Sequence, residues 1–165
     1  MSRQCAGDRL VLVAVPESVG RARAFTAATL RSWGAVGVLD DALLVSSELV
    51  TNAIRGADLV AVQLRLAERS LYVEVWDGAP GVPEVAHADA EDEAGRGLRL
   101  VAALATRWGV CRPRAGGKVV WAELTLPDAP EPPPGAVAPL GPEAGAELLA
   151  DVALMERVLG ALRGW

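Results

Sequence analysis

The sequence lacks the raw material for metal clusters and disulfide frameworks. It has two cysteines, Cys5 and Cys111, far apart and with no CxxC, and a single histidine, His87; neither a zinc site nor a stapled fold is encoded. No apolar run approaches the roughly 18 residues that a membrane span needs. The N-terminus has no basic-then-apolar signal layout, so the expected location is cytoplasmic. A net charge of -5 and a pI near 4.9 argue against docking on the phosphate backbone of DNA or RNA, which calls for a basic face. A protein partner or a small ligand is favoured instead. Lysine is nearly missing too: Lys118 stands alone beside fifteen arginines, a bias of composition from which no function follows.

Apolar residues are plentiful. At 52% hydrophobic content and a mean hydropathy of +0.27, the 165 residues suit one domain that buries roughly 70% of its unfolded surface, with a short appendage. Residues 9–15 read as a strand, and Pro16, Glu17 and Ser18 open a helix that Gly34 ends. Val19, Phe25, Ala28 and Leu30 mark its packed face. A second helix is expected from about Leu39 to Ala57, with a stripe of Leu39, Leu43, Leu49, Val50, Ala53 and Ile54. Val60, Val62, Leu64 and Leu66, then Leu71, Val73 and Val75, predict a hairpin joined by Ala67–Ser70, so Asp77 ends a strand. Residues 79–94, with two prolines, His87 and five acids, predict a loop of the length that often covers a ligand. Its acidic cluster, Asp89, Glu91, Asp92 and Glu93, is read as a solvated face.

Gly97–Thr106 returns to a helical pattern, and residues 108–112 and 118–126 predict a closing pair of strands. Trp33, Trp76, Trp108 and Trp121 read as core or half-buried residues. Seven prolines in residues 127–142 mark a semi-rigid linker. A final helix follows over about 143–165, its seam made by Leu148, Val152, Met155, Leu159 and Leu162. That seam calls for burial against its own domain, in a homodimer, or on a partner. The element order suggests a sheet with its helices on one face, in a domain spanning residues 1–126.

Three stretches carry the chemistry. Glu48 and Asn52, four apart, share a helix face and can set a proton acceptor and a metal-ligating amide oxygen over one ligand; an ordinary solvated face has the same spacing. Asp77 at a strand end can accept from an exocyclic amine, with Gly78 and Gly81 leaving room for a flat base; Asp-Gly and Pro-Gly are also everyday turns. Gly95-Arg96-Gly97 ahead of a helix can offer amides and a guanidinium to a polyphosphate, or can simply lead into the helix. Their conjunction, in this order, is what points to a nucleotide pocket.

In the motifs Ser47-Glu-Leu-Val-Thr-Asn-Ala-Ile-Arg, Trp76-Asp-Gly-Ala-Pro-Gly, Gly95-Arg-Gly-Leu-Arg-Leu-Val and Gly117-Lys-Val-Val-Trp, the chain resembles the anti-sigma-factor serine kinases. These belong to the superfamily of gyrase, heat-shock chaperone, histidine kinase and MutL ATPase domains. The resemblance spans about Arg9–Leu126 and implies a two-layer α/β sandwich of the Bergerat type, with a mixed sheet carrying its helices on one face and ATP held under a lid over about 83–94. It further implies that Asn52 holds Mg2+, that Asp77 bonds the adenine amine, and that Gly78 and Gly81 shape the base pocket. Gly95, Arg96, Gly97 and Leu98 would flank the phosphates. Glu48 would act as general base in phosphorylating a serine of an anti-sigma-factor antagonist, by a mechanism of partner switching in which a sigma factor is the other candidate partner. The rival reading is a protein-binding module on the same fold without kinase activity. Many members carry His where Gly56 stands, Gly where Ala94 stands, and Thr near Lys118–Val120.

Overall fold

A computed structural model of the chain describes residues 6–79, 93–113 and 116–128. Strand β1 covers Ala6–Val13 and helix α1 covers Glu17–Ser32. Pro16 precedes α1 with φ already helical at -54°, and Glu17 complements the helix dipole in its first turn. The C-terminus of α1 closes in a Schellman arrangement: the Ala35 amide donates to the Leu30 carbonyl and that of Gly34 to Arg31, with Gly34 at φ +70°. Only glycine takes that conformation freely. The buried face of α1 carries hydroxyls as well as apolar groups: Ala22, Thr26, Thr29 and Leu30 are buried, whereas Ala28, expected inside, is exposed. Thr26 satisfies its hydroxyl on the Ala22 carbonyl and the Ser46 hydroxyl, which is why a polar residue sits there without cost.

Helix α2 runs over Leu39–Ala53 with Asp40 and Asp41 in its first turn. It buries Ala42, Val45, Ser46, Leu49, Val50 and Ala53 at alternating three- and one-residue steps, the period of one helix face. It stops four residues short of Ala57, because the chain must turn there into β2, Leu59–Ala67. A two-residue turn leads to β3, Ser70–Asp77, with Glu68 at φ +48°. Helix α3 (Glu93–Leu104), β4 (Arg107–Cys111) and β5 (Lys118–Thr125) complete the described elements.

The result is a two-layer α/β sandwich: a sheet of order β1-β2-β3-β5-β4 with the helices on one face. Every pairing among the described strands is antiparallel, where a mixed sheet is expected. The reason is directional. Two helices separate β1 from β2, so the chain returns reversed; the single helix between β3 and β4 would leave those two parallel, but β5 inserts between them. On the helix side, Val60, Val62, Leu64, Val73, Val75, Val120 and Ala122 meet Val45, Leu49, Leu98 and Val101. Each such side chain is worth roughly 1.5–3 kcal/mol when fully buried.

The other face gathers Ala61, Trp76 and Val119 with Val11, Cys111 and Trp121, and two ion pairs, Arg65–Glu74 at 2.6 Å and Arg107–Glu123 at 2.5 Å. Ser70 donates to Glu123 at 2.6 Å, and the Arg65 guanidinium lies 4.8 Å over the Tyr72 ring. Burial pushes the Glu74 carboxyl above its ordinary value against the pull of Arg65, and raises the Tyr72 phenol likewise. Gly109 is required here, since a side chain in its place would press on the Trp121 ring opposite.

Candidate functional site

The structure brings pieces singled out in the sequence together in two places, at the end of β3 and between α2 and α3. Asp77 closes β3 opposite Val60, the second residue of β2, and opposite Lys118, the first of β5. The end of α2 lies beside it: a Cβ on Gly56 would meet the Ala79 methyl at 3.5 Å. A cleft of about 270 Å³ opens there, lined by Arg55, Gly56, Ala57, Asp58 and Gly78. Earlier along α2 stand Glu48 and Asn52, both half-buried. Neither side chain makes a hydrogen bond or ion pair to any described residue.

Glu48 is tied to the third motif by contact. A Cβ on Gly97 would fall on the Glu48 carboxylate, so the two are in direct contact. Gly95 and Gly97 are buried inside the first two turns of α3, and the helix begins at Glu93 rather than after them as expected. The amides near its N-terminus still include that of Gly95, and Arg96 is exposed beside them. Leu98 is only 3% exposed and belongs to the core, so its side chain packs rather than binds. Gly81, His87, the acidic cluster Asp89–Asp92 and the core of the lid expectation lie outside the described residues. So do most of the linker and the whole of the C-terminal helix.

Asp77 is the most informative residue of the site. It is 0% exposed. Its Oδ1 accepts the Ala79 amide at 2.9 Å and pairs with the Lys118 ammonium at 3.2 Å. Its Oδ2 is buried with no hydrogen-bond partner. A buried acceptor left unsatisfied costs about 1–3 kcal/mol, a cost that a donor on a bound ligand removes.

Sequence reasoning missed Lys118 as a member of this site. Its uniqueness in the chain and its place just after Gly116-Gly117 were visible, but not its register against Asp77. The turn is fastened to β3. Gly117 has φ +74°, and a Cβ there would collide with the Asp77 carbonyl and the Trp76 indole. Trp76 in turn donates Nε1–H to the Gly116 carbonyl at 3.2 Å. Gly117→Ala is therefore expected to destabilise by on the order of 2–4 kcal/mol, because the obstacle is backbone and cannot swing aside. Urea unfolding checks this, and a midpoint equal to wild type would show that the turn relaxes.

No group of three or more His, Cys, Asp or Glu among the described residues is placed to hold a metal ion. No described helix is long and apolar enough to cross a membrane. An antiparallel sheet backed by helices, with a buried carboxylate at a strand end that has one oxygen unpaired and a glycine-bearing helix against an acidic one, has the construction of an ATPase sandwich. The chain belongs to the histidine kinase-like ATPase domain family, which it matches over residues 12–124. No curated protein matches the chain.

Proposed function

We propose that this protein is an ATP-binding regulator of the anti-sigma-factor serine kinase kind, cytoplasmic, acting by partner switching on an antagonist protein or a sigma factor. The observation that supports it most is the unsatisfied, fully buried Oδ2 of Asp77, which suits the amine of adenine. A polar acceptor of this sort is what a base-reading site offers and what an ordinary turn does not. Gly78 leaves the approach to it free of side-chain bulk.

The amide of Gly95 at the α3 N-terminus and the Arg96 guanidinium would meet the phosphates. Asn52 would hold Mg2+ by its amide oxygen, the remaining ligands coming from phosphate and water; the ion supplies neutralisation of charge when bound. Glu48 accepts the proton of the partner's serine as its Oγ bonds to the γ-phosphorus and the bond from that phosphorus to the β–γ bridging oxygen breaks. ADP leaves with that oxygen. Catalysis of this kind is mostly positioning and electrostatics.

A second reading, a binding module without transfer, is favoured by one specific feature: Gly56 lines the cleft at the position where many anti-sigma kinases carry His. Calorimetry with ATP and Mg2+ tests the pocket, and transfer of a radiolabelled γ-phosphate to a cognate antagonist tests the chemistry. Binding with transfer is the expected result; binding without transfer selects the module, and no heat at millimolar nucleotide sinks the pocket reading.

A further inference from the structure

Asp77 has a partner that the reading above does not use. The β3–β5 register sets Lys118 opposite it, and the two form an enclosed ion pair, with side-chain exposures of 9% and 0%. Removing two charges from water is costly unless each is well matched. Here the match is lopsided: the Ala79 amide and the Lys118 ammonium both take Oδ1, while Oδ2 has nothing. A carboxylate can accept two parallel donors, one on each oxygen. At this site one of the two oxygens is already occupied.

We propose that Lys118 is a positioning residue for base recognition: by occupying Oδ1 it leaves Asp77 a single unpaired acceptor, and so sets the preference of the site among purines. The inference rests on the ATP reading. Adenine presents one amine donor beside a ring acceptor, which one free oxygen serves. Guanine presents two donors side by side, a ring N–H and an amine N–H, which call for both oxygens. The ammonium, which carries donors only, stands against the second of them. The fastening of Gly116 and Gly117 onto Trp76 and Asp77 holds Lys118 in that place.

Calorimetry of the full chain with ATP and with GTP, both with Mg2+, tests this, alongside thermal melts of every variant. Wild type binds ATP well ahead of GTP. In Lys118→Met the Oδ2 acceptor for adenine stays and Oδ1 becomes able to meet guanine's second donor, so the GTP affinity rises by about tenfold while that for ATP is kept, and the preference shrinks. Lys118→Arg is the sharper arm. Its planar fork spans both carboxylate oxygens, so it keeps the melting temperature yet loses ATP, whereas a residue of purely structural use would be rescued by arginine. An unchanged ATP-to-GTP ratio in folded Lys118→Met overturns the proposal, as does ATP binding by Lys118→Arg at wild-type strength. If the arginine variant does not fold, the methionine ratio decides alone. Wild type binding both nucleotides equally overturns this proposal only; wild type binding neither removes the ATP reading and this one with it.

Discussion

Asp77→Ala is expected to lose both the nucleotide and a large part of the folding stability. From the sequence alone the variant is expected to weaken binding and leave the fold intact. The structure changes that expectation, since Asp77 is the counter-charge of an ammonium that is itself only 9% exposed. Removing one member of a buried pair typically costs about 3–5 kcal/mol, against a total stability of about 5–15 kcal/mol for an ordinary domain. Melting should fall by on the order of 10 °C or more. The double variant Asp77→Ala with Lys118→Met removes both charges and should recover much of the loss in stability without recovering nucleotide. Denaturant unfolding of the two variants separates the effects. If Asp77→Ala alone melts with wild type, the ion pair contributes nothing to the fold.

Glu48→Ala is expected to bind nucleotide and to lose transfer by roughly 10²–10⁴-fold, the usual contribution of a general base. Gly97→Ala should behave in the same way. Its added methyl would fall on the Glu48 carboxylate, which is the far end of a flexible side chain and can move aside. Little stability is lost, but the carboxylate leaves its place. Combining the two changes should therefore cost no more than either alone, the sign of two residues acting through one interaction. Single-turnover transfer assays with melts on the same samples measure this. Additive losses would show that Gly97 serves the site by another route.

Much of this site was legible because its residues act through local pattern. Glu48 and Asn52 lie on a helix whose stripe fixes its face, and the alternation in Leu71, Val73 and Val75 puts Asp77 at a strand end. What stayed hidden depends on contacts distant in sequence. Lys118 opens a predicted strand in the sequence, and its place opposite Asp77 follows only once β5 lies beside β3 in register. Gly97 reads as a phosphate-binding turn, and its closeness to Glu48 follows only once α3 crosses α2. The antiparallel sheet was hidden too, because strand direction depends on β5 taking the place between β3 and β4. Glu74 and Glu123 show no apolar signal at all, yet they are buried on the face away from the helices, with Arg65 and Arg107 as their compensation.

The place of β5 in the sheet also governs when the site can come into being. The β2–β3 hairpin closes over two residues and can pair early, whereas β5 must come back across α3 and β4 to reach β3. Non-local pairings of this kind are slow, because the entropy of closing the intervening chain is lost before any contact repays it. On a ribosome extending the chain at about 5–20 residues per second, Glu48, Asn52, Asp77 and Gly97 all emerge before Lys118. A nascent chain ending ahead of β5 thus displays the first three motifs while the Asp77 carboxylate has no counter-charge.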